Sequence, residues 1–195
     1  IDSSNMNPKI WIDLAKTIEQ NYDDYDGFVV IHGTDTMAYT ASAISFLMEN
    51  LSKPIIFTGA QLPIGELRTD ARENLINALE VAKAKNSMGF SIVPEVCIFF
   101  DDLLLRANRS KKDESSHFDA FKSENYPRLA EAGVSIEYNN SYILTQTGHE
   151  LVVRDSLNEN IALLKLYPGI TQEVCEMYLK LEHLEGLILE TFGAG

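Results

Sequence analysis

Apolar and polar positions along the chain follow two periods, and the switches between them mark the elements. After Pro8, Ile10, Leu14 and Ile18 recur on one face, which predicts a helix through about Gln20. An unbroken apolar run then predicts a strand over 27–32. From Met37 the period lengthens again: Ala41, Ile44, Leu47 and Met48 share a face, giving a helix near 37–49. Pro54 opens a second strand, Ile55-Ile56-Phe57-Thr58, which Gly59 closes. The loop Ala60–Leu67 is punctuated by Pro63 and Gly65. Leu75, Ile76, Leu79 and Ala82 set a helix from about Asp70 to Lys85, and Glu95–Phe100 reads as a third strand. Strands that are apolar throughout, alternating with helices across short loops, predict an α/β fold: a parallel sheet flanked by helices, flavodoxin/Rossmann-like, with right-handed crossovers.

The pattern weakens after Phe100. Residues 101–126 are polar, with Arg106, Arg109, Lys111 and Lys112 ahead of Asp113, Glu114 and two serines, and read as a long functional loop or flap. Gly133–Tyr138 and Ser141–Thr145 alternate around Asn139-Asn140, predicting a hairpin. Gln146–Asn160 has no period and reads as a linker. Ile161–Tyr167, Thr171–Leu184 and Gly186–Phe192 then start a new strand–helix–strand unit, ending on the glycine-rich turn Gly193-Ala194-Gly195. The expected division is a larger domain over 1–143, a linker over 144–160, and the start of a second, smaller α/β domain over 161–195. Ile1 opens in what reads as mid-domain sequence, so a fragment is expected.

Charge and composition narrow the partners. A net charge of −13 over 195 residues repels nucleic acid and anionic membranes. No apolar run reaches the roughly 18 residues of a spanning helix, and no signal peptide is expected. Cys97 and Cys175 read as two buried free thiols, which suits a reducing compartment. No glycine-rich dinucleotide or phosphate loop occurs, so no nucleotide cofactor is expected. His32 reads as a buried, hydrogen-bonded residue, while His117, His149 and His183 are scattered without metal-ligand spacing, so no metal is expected either. Arg68, Asp70, Arg72 and Glu73 read as an ion-paired helix start.

The chemistry gathers at the turn after the first strand. Gly33 interrupts the apolar run, and Thr34-Asp35-Thr36 places hydroxyl, carboxylate and hydroxyl where an open α/β sheet binds ligands. The plain alternative is that Asp35 or Thr36 caps the helix. Two other segments are candidates for the same pocket. Asp2-Ser3-Ser4-Asn5-Met6 otherwise reads as a cap cluster, and Lys112 as one charge in a solvated run. A partly desolvated lysine can take a proton from a threonine hydroxyl while a carboxylate orients it. Thr58-Gly59-Ala60-Gln61 ends a strand and can offer backbone groups to the pocket, or merely make a turn.

Asp26-Gly27-Phe28-Val29-Val30-Ile31-His32-Gly33-Thr34-Asp35-Thr36-Met37 resembles the second signature of bacterial-type L-asparaginases. The likeness continues through Pro54–Gly59, Arg68-Thr69-Asp70-Ala71-Arg72-Glu73-Asn74, Leu105–Lys112, Phe118–Ser123 and Tyr167-Pro168-Gly169, and so covers essentially the whole chain. It is nearest the cytoplasmic, type I branch: where periplasmic relatives often carry a disulfide cysteine, this chain has Tyr22. The resemblance implies hydrolysis of the side-chain amide of L-asparagine to aspartate and ammonia through an acyl-enzyme, without cofactor, in a homo-oligomer (dimer or tetramer). It implies Thr34 and Lys112 as the Thr–Lys pair with Asp35 beside them, and Asp35 also as holder of the substrate's α-ammonium. It implies Ser3 or Ser4 on the α-carboxylate, the Thr34 N–H in the oxyanion hole, and the Ala60 carbonyl on the amide that leaves.

The family's other catalytic threonine, in a Thr-Gly-Gly-Thr motif, and the loop tyrosine after it would precede Ile1. The 195-residue stretch alone is therefore expected to show very low activity. Glu190 stands where some type I enzymes carry a regulatory arginine, so that control is not expected. Two other functions share the motif: the amidase-like subunit of a tRNA-dependent amidotransferase, and a non-catalytic amino-acid-binding module. Asparagine against glutamine is decided by pocket shape, since one methylene is worth only about 1–3 kcal/mol.

Overall fold

The computed structural model describes residues 2–113 and 120–193. These residues fall into two compact units, divided between Asp155 and Ser156. The first unit is built on a six-stranded sheet in the order β1-β3-β4-β5-β8-β9. Strands β1 (Phe28–Ile31), β3 (Ile55–Thr58) and β4 (Val96–Phe100) run parallel, as their continuous apolar sequences predict. Helices α1 (Pro8–Gln20), α2 (Met37–Leu47) and α3 (Ala71–Lys83) lie close to the predicted bounds.

Period-two alternation sends neighbouring side chains of β3 and β4 into two different cores. Ile55, Phe57, Val96, Ile98 and Phe100 pack with Ala15 and Ile18 of α1 and with Met37, Ala41, Ile44 and Leu47 of α2. Ile56, Cys97 and Phe99 pack with Ala78, Val81 and Ala82 of α3 on the other face. Local chemistry starts the helices: Asn7 caps α1 by accepting from the Ile10 N–H at 3.2 Å, with Pro8 as the first helical residue. The Trp11 indole N–H donates to the buried Thr40 hydroxyl at 3.0 Å, tying α1 to α2. The Tyr22 hydroxyl accepts from the N–H groups of Ser52 and Lys53 at 2.8 and 3.0 Å, fixing the entry to β3.

The remaining strands of the sheet are antiparallel: β5 (Leu103–Arg106), β8 (Ala130–Ala132) and β9 (Ile136–Tyr138) extend it beyond β4. Residues 101–126 are thus not one long flap. Leu103-Leu104-Leu105 is apolar enough to pair with β4 across a tight turn in which Asp101 and Asp102 both take positive φ, 47° and 63°. The hairpin also differs from expectation: its strands are β8 and β9, turning at Gly133-Val134-Ser135, and Ser141–Thr145 is not a strand. That segment is held by side chains instead. Glu95 accepts from the Leu144 N–H at 2.8 Å, and Arg106 donates to the Tyr142 carbonyl at 2.8 Å.

Two short pairs complete this unit. Strand β6 (Lys111–Lys112) pairs with β7 (Phe121–Lys122), and β2 (Met48–Glu49) pairs with β10 (Val152–Val153). Residues 144–155, expected to belong to a linker, pack on the first unit: Leu151 and Val153 join its core, and Gln146 donates to the Ser52 carbonyl at 3.0 Å. In the second unit β11 (Ile161–Lys165) and β12 (Gly186–Glu190) pair in parallel around α4 (Gln172–Leu179). Glu190 accepts from Lys165 at 2.6 Å there. Cys97 is fully buried and its thiol is pushed well up by burial; Cys175 is only partly buried, contrary to expectation. Both are free. Among the described residues no helix is long and apolar enough to cross a membrane.

Candidate active site

The site lies where β1 and β3 end. Gly59 brings the two ends together: a Cβ there would come within 2.2 Å of the His32 carbonyl oxygen, so a bare backbone is required. The turn after β1 carries Thr34, Asp35 and Thr36, and neither Asp35 nor Thr36 caps α2 with its side chain. Thr36 occupies the N-cap position without a side-chain cap bond, and its hydroxyl donates instead to the Ser3 carbonyl at 2.7 Å.

Lys112 reaches this turn because period two points it inward from β6, while Lys111 points out and pairs with Glu124 at 2.7 Å. The partner strand is anchored by the buried Phe121, whose ring lies 5.0 Å from that of Phe100. The Asp113 N–H donates to the Ala120 carbonyl at 2.8 Å and continues the pairing. The result brings three side chains together from distant segments. The Lys112 Nζ donates to the Thr34 hydroxyl at 2.9 Å and to Asp35 Oδ1 at 2.6 Å. The lysine side chain is 17% exposed and the aspartate 72%, so one is held in the protein and the other faces outward.

The Thr34 hydroxyl in turn donates to Gln61 Oε1 at 3.1 Å. The Thr58–Gln61 pattern points to backbone groups only; the signal for the Gln61 side chain is its place just past Gly59, on the strand end that Gly33 and Gly59 bring close. Ala60 lies in this same loop. Ser3 and Ser4 are separated by the structure. Ser3 is buried against bare Gly33, where a Cβ would lie 2.7 Å from the Ser3 hydroxyl oxygen. Ser4 is exposed, and its N–H and hydroxyl both donate to Asp2, at 2.9 and 2.8 Å. The Asp2–Met6 cap cluster is therefore real, as a short 3₁₀ turn, and still delivers Ser3 to Thr36.

Asp70 is not part of an ion-paired helix start. Its carboxylate accepts from the N–H groups of Gln61 and Leu62 and from Asn74. His32 is partly buried: Nδ1 bonds the Gly33 carbonyl at 2.7 Å, while Nε2 is enclosed and finds no partner among the described residues. His117, with Phe118 and Asp119 of the family-like stretch, lies outside the described residues.

Asp35, Ala38, Tyr39, Ser42, Ser110, Lys111 and Lys112 line a cavity of about 460 Å³, in the size range of small-molecule sites. A larger cavity of about 670 Å³, lined by Phe90, Pro94, Tyr138 and Leu144 among others, carries neither amine nor carboxylate. The smaller one is lined by Lys112 and Asp35, though not by Thr34.

An open α/β sheet that brings an amine to both a hydroxyl and a carboxylate beyond its strand ends is an arrangement suited to acyl transfer. The chain belongs to the asparaginase family: the model of the asparaginase N-terminal domain matches residues 1–144. All of the chain aligns at 45% identity with L-asparaginase 1 of Escherichia coli K12, covering 56% of that protein. It aligns at 46% identity with the 60 kDa lysophospholipase of Mus musculus, covering 33% of it. The crystal structure of L-asparaginase I from Vibrio cholerae superposes with a TM-score of 0.89 at 45% identity, over all of this chain and 57% of that one. The chain thus spans between about a third and just over half of these relatives.

Proposed function

We propose that this chain forms the principal part of an L-asparaginase active site, cleaving the side-chain amide of L-asparagine to aspartate and ammonia. The observation that carries this reading is the contact of the Lys112 amine with both Thr34 and Asp35, between segments far apart in sequence. The Thr34 hydroxyl oxygen adds to the side-chain carbonyl carbon, and its proton passes to Lys112 in the amine form. The C–N bond then breaks, ammonia leaves with that proton, and the substrate's acyl group remains as an ester on Thr34. Water cleaves the ester, aspartate departs and the hydroxyl is restored. The Thr34 N–H assists the developing oxyanion.

Ser3, rather than Ser4, holds the α-carboxylate, because Ser3 is seated against Gly33 while the Ser4 hydroxyl is engaged by Asp2. Asp35, with most of its surface free, holds the α-ammonium. Ala60 offers its carbonyl to the amide nitrogen. The protein acts as a homo-oligomer in the cytoplasm, a reading supported by its free cysteines and by its likeness to the type I branch. The test is ammonia release from asparagine by the full polypeptide that the gene encodes, beside its Thr34→Ala and Lys112→Met variants. Loss of turnover by about 10²–10⁴-fold in each variant is expected. Wild-type turnover surviving both substitutions overturns the reading.

A further inference from the structure

The loop Gly59–Leu62 is held by a set of hydrogen bonds from the start of α3 and the two residues before it. Asp70 Oδ1 and Oδ2 accept from the Gln61 N–H at 3.0 and 2.9 Å, and Oδ1 accepts from the Leu62 N–H at 3.1 Å. The Thr69 hydroxyl donates to the Leu62 carbonyl at 2.9 Å. Asn74, 2% exposed, donates through Nδ2 to the Gly59 carbonyl at 3.1 Å and to Asp70 Oδ2 at 3.1 Å. Its Oδ1 accepts from the N–H of Asp101, at 3.1 Å, in the positive-φ turn after β4. One face of α3 therefore grips the ends of β3 and β4 together. Among the described residues, no donor reaches the Ala60 carbonyl.

A trans peptide is planar, with its N–H and C=O on opposite sides. Holding the Gln61 N–H on Asp70 therefore turns the Ala60 carbonyl away from Asp70 and fixes its direction. We propose that Asp70 and Asn74 are positioning residues that aim the Ala60 carbonyl at the carboxamide nitrogen of the substrate, setting the orientation of the bond to be broken. The inference rests on the asparaginase reading of this site. It assigns to Asp70 a task separate from folding: the carbonyl it aims has work only when the leaving group carries N–H donors. A substrate with an ester in place of the amide has no hydrogen to offer Ala60, and its cleavage is indifferent to the direction of that carbonyl.

The experiment compares asparagine with the β-methyl ester of aspartate as substrates of the full polypeptide and its Asp70→Asn variant. Misorientation on the scale of an ångström is worth about 10–100-fold in rate, so kcat for the amide falls by that factor while kcat for the ester changes by less than about threefold. Aspartate binding, measured by calorimetry, is unchanged, since Ser3 and Asp35 lie outside the clamp. If Asp70→Asn does not fold, Asp70→Glu keeps the charge, displaces the oxygens by one methylene, and shows the same selectivity. An equal fall for both substrates, a loss of aspartate binding, or no fall for either overturns the proposal. Thr34→Ala and Lys112→Met separate the two layers. If they abolish both reactions while Asp70→Asn shows no selectivity, only the positioning role fails. If they leave both reactions intact, the asparaginase reading itself fails.

Discussion

Two ion pairs in the first unit have the same length and opposite uses. Lys112 meets Asp35 at 2.6 Å, and Arg106 meets Glu95 at 2.6 Å. In the second pair both side chains are enclosed, at 12% and 4% exposure. Both side chains have further partners: Arg106 also donates to the Tyr142 carbonyl and lies 4.3 Å from the Tyr126 ring, and Glu95 also accepts from the Leu144 N–H. A cavity of about 320 Å³ borders this pair too, but neither of its side chains is more than slightly exposed. In the first pair, Asp35 is largely exposed and the cavity opens beside it. A buried charge pair that is fully hydrogen-bonded fixes the chain around it, whereas one that keeps a face open can bind and react. Distance alone does not tell the two apart; the remaining partners do.

The sharpest way to break this comparison is Asp35→Asn, which keeps the shape and removes the charge. Asparagine turnover falls by about 10²-fold or more, because both the lysine partner and the α-ammonium contact are lost. The thermal unfolding midpoint moves little, since an exposed partner contributes at most about 1 kcal/mol. A variant that unfolds readily but turns over normally would reverse the roles assigned to the two pairs. Arg106→Met is the complementary change. It strands the Glu95 carboxylate in a buried position and costs about 3–5 kcal/mol in stability, read by denaturant unfolding. The turnover of the molecules that remain folded is retained. Unaltered stability would show that Arg106 and Glu95 do not hold the 142–144 segment.

The same contrast explains what the sequence made legible. The parallel strands and three helices of the first unit follow from periodicity, because both faces of β3 and β4 are buried and nothing polar interrupts them. The meeting of Thr34, Asp35 and Lys112 follows from residue chemistry and family likeness. No local signal reveals that period two turns Lys112, and not Lys111, toward the turn. Leu103–Leu105 does not read as a strand because a polar stretch surrounds it, and its pairing depends on a turn in which Asp101 and Asp102 both take positive φ, which no apolar period displays. Ser141–Thr145 alternates like a strand, yet its backbone bonds go to the side chains of Glu95 and Arg106, which no local pattern displays. Asp70 looked like a helix-start charge for the same reason: its partners are backbone N–H groups in the preceding loop.

The smallest effect concerns two adjacent serines of identical chemistry and different surroundings. Ser3 is buried against Gly33, and its carbonyl accepts from Thr36; Ser4 is exposed and bonded to Asp2. If Ser3 contacts the substrate's α-carboxylate, Ser3→Ala removes a hydrogen bond to a charged group, worth about 1.5–3 kcal/mol. KM for asparagine then rises by roughly 10-fold or more, with kcat less affected because the lost contact is made equally in ground and transition states. Ser4→Ala leaves KM within about twofold, since it removes only an exposed local bond. Steady-state kinetics of the two variants side by side decides the register. The reverse pattern would place the carboxylate outside the Gly33 notch and move the substrate along the Thr34–Lys112 pair, leaving that pair in place but reassigning what surrounds it.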